Sequence, residues 1–245
     1  MRVTRVHVDW PLAVGGGIVL PEDAAAHLLR VLRLGVGDAC VLFNGDGHDY
    51  DARITATGKR SAEAEIVAAR EIRNESPLRI ELLQGVARGE KMDWILQKAT
   101  ELGASAFVPV DSERSEVKLA GDRAEKRLAH WRRVVVAACE QSGRARVPAI
   151  EAPAPLADAV ARLDGHGCRL ILDPLAEGGI EALGPPPGGR CVVAIGPEGG
   201  WSPRDRAVLA GAGFRGMRLG PRILRTETAG IAAIAALQVR FGDLG

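Results

Sequence analysis

The last third of the chain carries two glycine-rich turns, Ile195-Gly-Pro-Glu-Gly-Gly-Trp-Ser202 and Leu219-Gly-Pro-Arg-Ile-Leu-Arg-Thr-Glu-Thr-Ala229, each placed after a short apolar run and before a helical pattern. Strand, glycine turn and helix in that order build parallel α/β structure and bring backbone to a crevice at the strand carboxyl ends. Gly196, Gly199 and Gly200 exceed what a plain connection needs, so the first turn reads as a cradle that a ligand approaches closely. Ser202 as N-cap, Pro203 at the first helical position and Asp205 open the helix that follows. After the second turn, Thr226 or Thr228 is expected to cap a helix with the apolar stripe Ile231, Ile234, Leu237 and Phe241. A capping box with a neighbouring salt bridge accounts for Thr226 and Glu227 but not for Arg222 and Arg225 beside a glycine turn. Two cradles in one domain point to a bound small molecule.

A third glycine cluster is a decoy. Gly211-Ala-Gly213-Phe-Arg-Gly216 has dinucleotide-fingerprint spacing, but it follows a helix and leads into a strand, the reverse of what the fingerprint requires. A helix stop is the reading it supports. The chain has no phosphate P-loop, no G-x-S-x-G nucleophile elbow and no H-E-x-x-H zinc motif. His130, beside Trp131 on a helical pattern, reads as a packing or surface residue.

The rest of the chain divides at Asn74-Glu-Ser-Pro77. Residues 1–73 read as short strands at 3–8, 39–43, 50–56 and 62–68, with Asn44-Gly-Asp-Gly47 as a turn and one short helix opened by Pro21, Glu22 and Asp23. A small β-barrel or sandwich is expected there. Residues 74–245 alternate strands (78–86, 106–110, 169–172, 191–195, 217–219) with helices (90–102, 124–142), which predicts a mainly parallel sheet covered on both faces.

With 32 basic and 31 acidic residues in 245, any contact with nucleic acid is a local patch and not a global field. The amino terminus lacks a signal-peptide apolar region and no apolar run reaches membrane-spanning length, so a cytoplasmic protein is expected. Cys40, Cys139, Cys168 and Cys191 are widely spaced, which favours buried free thiols over a zinc site or a disulfide scaffold. Arg114 follows the 106–110 strand at the level of the glycine turns and is either a site residue or a solvated loop charge. Arg144 and Arg146 close a polar cluster at a helix end, which is either a C-cap or a phosphate contact.

Gln97-Lys-Ala-Thr-Glu-Leu-Gly103, Ser112-Glu-Arg-Ser115, Glu140-Gln-Ser-Gly-Arg144 and the two glycine turns, in this order, resemble the RsmE family of bacterial 16S rRNA uridine-N3 methyltransferases. Val31-Leu-Arg33 with Gly37-Asp38 is similar to that family's PUA-like RNA-binding barrel, and Gly242-Asp-Leu244 to its ending. Trp201 stands where the family commonly has phenylalanine, and Ala137 where a glutamate is frequent. The resemblance implies an α/β fold with a SPOUT-type C-terminal domain containing a trefoil knot, a preceding PUA-like β-barrel, S-adenosylmethionine as cofactor, and a homodimer that completes the site. Topological rules alone lead to an unknotted doubly wound sheet.

Carried residue by residue, the resemblance places S-adenosylmethionine among Leu172, Ile195, Gly196, Pro197 and Gly199 and among Leu219, Gly220, Ile223 and Leu224. Uridine N3 bears a proton, so methylation there calls for a base and a cation near the carbonyl oxygens. Glu227 or Glu198 is the candidate base and Arg114 or Arg225 the candidate charge stabiliser, with no metal required. The implied partner is 16S rRNA or the small ribosomal subunit, contacted through Arg2, Arg30, Arg33, Arg144 and Arg146. Two rivals stand beside this reading: a non-catalytic RNA-binding protein, and a methyltransferase of the same superfamily acting at another RNA position.

Overall fold

The computed structural model describes residues 4–163 and 167–245. The chain forms two compact units, Met1–Glu75 with Cys139–Val147, and Ser76–Ala138 with Pro148–Gly245.

In the first unit, strands β1 (Arg5–His7), β2 (Gly17–Val19), β3 (Ala39–Phe43), β4 (His48–Thr57) and β5 (Ala62–Glu71) make one mixed sheet in the order β1-β3-β4-β5-β2. Strict alternation drives β5, where Ala62, Ala64 and Ile66 point in and their neighbours point out. The β4–β5 pairing shifts register between Asp51 and Ala52 and between Ile54 and Ala56, irregularities that bend a sheet. Both edge strands deliver residues to one core, Val6 from β1 and Ile18 from β2 meeting Leu42, Ile54 and Ile66, so the sheet curls around its contents. Helix α1 (Glu22–Ala26) runs into a π-helical turn, His27–Val31, and buries Ala25 and Leu28 in that core. Strand β2 escapes a reading of local pattern because its three residues include one glycine and only one buried side chain.

The second unit is built on a parallel sheet. Strands β6 (Arg79–Gly85), β7 (Ala104–Asp111), β8 (Ala149–Ile150), β10 (Cys168–Leu172), β11 (Arg190–Ile195) and β12 (Arg215–Met217) take the order β12-β10-β11-β6-β7-β8, with β9 (Ala154–Pro155) beside β7. Helices α2 (Lys91–Glu101), α3 (Gly121–Ser142), α4 (Leu156–Arg162), α5 (Pro203–Gly211) and α6 (Thr226–Phe241) cover it. Alternate residues of β11 divide the faces. Val192 and Ala194 pack with Leu156, Val160, Leu209 and Phe214 from the α4 and α5 side. Ile195 faces α6, where a Cβ on Gly230 would stand 3.6 Å from its Cγ1 and 3.5 Å from Leu82 Cδ1. The close approach of α6 explains why its buried stripe is Ala229, Gly230, Ala233, Ile234 and Leu237, with small residues where a larger Ile231 stripe was expected.

Gly211 closes α5, and Gly213, at φ +81°, turns the chain into β12, with Phe214 N–H bonded back to Leu209 O (3.0 Å). The dinucleotide-like spacing is therefore a helix stop. All four cysteines are buried free thiols, and Cys168 and Cys191, distant in sequence, are register partners on β10 and β11. Among the described residues no helix is long and apolar enough to cross a membrane.

Candidate functional site

Strands β6, β10 and β11 deliver their carboxyl ends to one edge of the parallel sheet, and both glycine turns stand there. The first leaves β11 and folds tightly on itself: Gly200 N–H donates to Pro197 O (2.8 Å), and a Cβ on Gly196 would lie 3.0 Å from the Gly200 backbone. Gly85, at the end of β6, lies directly beneath, since a Cβ there would come within 2.5 Å of Pro197 Cδ. Ser202 and Asp205 exchange hydrogen bonds as a capping box, each at 3.1 Å, so the turn is anchored to α5.

The second turn leads into α6 with Arg225, not a threonine, in the cap position and no side-chain cap bond. Thr226 has a different use. Its Oγ1 donates to Gly196 O (2.6 Å) and accepts from Nε2 of the fully buried Gln84 (3.0 Å), tying the second turn to the first. That cross-link forms only after folding, and local capping rules point the hydroxyl elsewhere.

Between the turns lies a cavity of about 490 Å³, within the usual range for small-molecule sites. Leu172, Ile195, Gly196, Pro197, Leu219, Ile223 and Leu224 line it, as do Glu198, Arg225 and Glu227. Gly199 and Gly220 belong to the turns but not to the lining, and Gly220 serves through its left-handed backbone at φ +66°. Arg114 also stands outside the lining. Its guanidinium donates to Gly199 O (3.1 Å), and a Cβ on Gly199 would be 3.0 Å from Arg114 Cβ, so Arg114 props the turn from its outer side.

Four of the charged groups of the cavity fall into two pairs. Arg206 binds Asp173 (2.5 Å) and Lys91 binds Glu198 (2.8 Å), all four lining the cavity. Burial pushes the Glu198 pKa up, but the Lys91 side-chain bond, backbone N–H bonds including that of Arg88, and the Lys91 charge outweigh it and hold the pKa below the ordinary carboxylate value. Glu227 differs from Glu198: its Oε2 is buried and has no hydrogen-bond partner. Trp201 Nε1, on another lining residue, is likewise buried and unpartnered. Unsatisfied buried polar atoms are costly and mark places where a bound ligand completes the bonding. Asp173, Lys91 and Arg206 escaped sequence reasoning, although Asp173 directly follows β10 and its strand-end position is the signal that finds it. Among the described residues no group of three or more His, Cys, Asp or Glu could hold a metal ion.

The residues expected to meet RNA are unequal. Arg30 and Arg33 are exposed on either side of the end of the π-helical turn, and Arg33 adopts φ 57°. Arg146 is exposed with its guanidinium over Gly47, where a Cβ would come within 2.8 Å of it. Arg144 is only 5% exposed and pairs with Glu75 (2.5 Å), so it has no free face for a phosphate; its role is to hold the first unit together. Arg2 lies outside the described residues.

The chain, with a small β unit and a parallel α/β unit that carries a paired-turn cavity at its strand ends, matches two known domain families: the RNA methyltransferase domain over residues 74–238 and the RNA methyltransferase PUA domain over residues 20–67. The ribosomal RNA small subunit methyltransferase E of Buchnera aphidicola is 34% identical over 245 residues, covering 99% of this chain and 98% of its own. That of Bacillus subtilis is 31% identical over 218 residues, 86% and 85% of the two chains. Among solved structures, a ribosomal RNA small subunit methyltransferase E from Neisseria gonorrhoeae bound to S-adenosyl methionine superposes with TM-score 0.93 at 40% identity, and a putative methyltransferase from Legionella pneumophila in complex with bound SAM with TM-score 0.95 at 35% identity, each comparison covering both chains fully. The chain belongs to the ribosomal RNA small subunit methyltransferase E family.

Proposed function

We propose that the chain transfers a methyl group from S-adenosylmethionine to N3 of a uridine in 16S ribosomal RNA, with residues 74–245 as a knotted SPOUT-type methyltransferase domain and residues 1–73 as an RNA-binding domain. The observation that carries the reading is the cavity between two turns tied by Thr226, containing one buried carboxylate oxygen without a partner. The cavity fits the cofactor: apolar Leu172, Ile195 and Leu219 suit adenosine, close-packed glycine backbone suits its polar edge, and acidic Glu227, Glu198 and Asp173 suit a sulfonium. S-adenosylmethionine, when bound, supplies an electrophilic methyl group.

The chain's own residues have two tasks. The turns orient the reactants in line, and the Thr226 and Arg114 contacts hold the turns in position before binding. Glu227 takes the N3 proton, because its Oε2 is free whereas Glu198 Oε1 already accepts from Lys91 Nζ and Arg88 N–H. Arg225, at the cavity wall beside it, offsets charge developing on the uracil oxygens. Arg30, Arg33 and Arg146 contact RNA phosphates. The reaction belongs in the cytoplasm, where small subunits are assembled. A homodimer is supported by large apolar groups left in the open: Trp94 on α2 and Val239 on α6, two helices that pack together, and Ile223, which is 84% exposed at the cavity wall.

Primer extension on 16S rRNA from cells with and without the gene tests the reading, since a methyl on N3 blocks Watson-Crick pairing. A strong stop one nucleotide before a uridine, present only with the gene, is expected. Identical extension patterns contradict it.

A further inference from the structure

The solvent side of α3 carries a concentration of positive charge that neither the cavity nor the expected RNA contacts use. At about 100° per residue, Arg123, Lys126, Arg127, His130 and Arg133 fall within one arc of roughly 120°, whose centre lies roughly 110° around the helix from the buried Trp131, Val135 and Ala138, so that Arg127 borders the core side. Arg123, Lys126 and Arg133 are exposed, and Arg127 is half-buried. None of these four side chains has a hydrogen bond or ion pair with another described residue. Of the two acids early in the helix, Glu125 lies on the side of Arg132, and Asp122 borders the edge of the arc, four residues before Lys126, without an ion pair to it. Only His130 is engaged, through Nε2 to Asp93 Oδ2 on α2 (2.7 Å).

A chain with a net charge of +1 that gathers Arg123, Lys126 and Arg133, unpaired and exposed, on one arc holds them together against their mutual repulsion. Along α3 the arc extends over about 15 Å from Arg123 to Arg133. We infer that this arc of α3 is a docking surface for the RNA phosphate backbone. The inference rests on the reading of the chain as an RNA methyltransferase and adds a contact within the methyltransferase unit itself. Flexible, strongly charged side chains at helical spacing suit phosphates, which position RNA without reading its sequence.

The test uses the full-length protein, a 16S rRNA transcript in filter binding across a salt series, and S-adenosylmethionine titrated calorimetrically. The charge-neutral variant R123Q/K126Q/R133Q is expected to bind the transcript about tenfold more weakly and to flatten the slope of log affinity against log salt by about 2 to 3, the loss of three phosphate contacts. Its cofactor affinity stays at the parental value. R132Q, one charge outside the arc on the same helix, changes transcript affinity less than about twofold on the same grounds. Parental affinity and slope in the triple variant overturn the inference. So does a variant that binds naked transcript normally but turns over assembled small subunits slowly, which assigns the arc to a ribosomal protein instead. If the parental protein binds neither transcript nor cofactor, it is the functional reading that fails, and the two failures are distinct.

Discussion

Two glutamates of the cavity differ in what already holds them, and the proposed mechanism divides their work on that difference. Glu227 keeps a buried oxygen free, so Glu227→Gln should lower kcat by about 100-fold or more, the range of general-base catalysis, with cofactor affinity unchanged by calorimetry. A variant at the parental rate across the pH range would remove Glu227 from the mechanism. Glu198 is bound by Lys91 and carries a lowered pKa. A carboxylate whose folded pKa is depressed adds stability that is present above its unfolded value, near 4.5, and is lost as pH falls through the folded value. The urea midpoints of the parent and Glu198→Gln should therefore stay separated from neutral pH down to about 5 and converge in stronger acid; a gap that persists to the acid limit contradicts the assignment. Spacing and residue type nominate both glutamates equally. Only the partners brought by α2 separate them, and those are invisible in sequence.

At the level of elements, strand-end glycines decide how closely the site can be built. Gly85 needs no positive φ; it is glycine because Pro197 lies where its Cβ would be. Gly85→Ala forces Pro197 and the Gly196 carbonyl to move, which should destabilise the protein by about 1–3 kcal/mol, as for overpacking, and weaken cofactor binding through the Thr226 tie. Ser202→Ala, which removes a cap of similar worth at about 1 kcal/mol, should lower stability with much less effect on binding. Equal binding losses in the two variants would detach the tie from the site. Elements with their own local logic were legible in the chain: the Ser202–Asp205 capping box, β3 at Ala39–Phe43, and the helix stop at Gly213. Features made by pairing across the fold were not. Thr226, one of two cap candidates, acts as a cross-link, Arg144, open to a C-cap or a phosphate contact, is half of a part-buried ion pair, and Cys168 meets Cys191 through strand order alone.

For the molecule as a whole, the proposed function gives the second unit the cofactor and both units contacts with RNA, and it takes the apolar groups left in the open as the seat of a second copy. Light scattering on the purified 25.9 kDa chain should give twice that mass, and a Trp94→Glu, Val239→Glu variant should give the mass of one chain. A parental protein that is monomeric while fully active would remove the dimer from the account. The central claim is methyl transfer to uridine N3 of 16S rRNA. It is tested most directly by incubating the protein with unmethylated 16S rRNA, free or as small subunits, and S-adenosylmethionine labelled in the methyl group, then digesting the RNA to nucleosides. The account predicts label in N3-methyluridine, abolished by Glu227→Gln; label in another nucleoside, or none in either substrate, would contradict it.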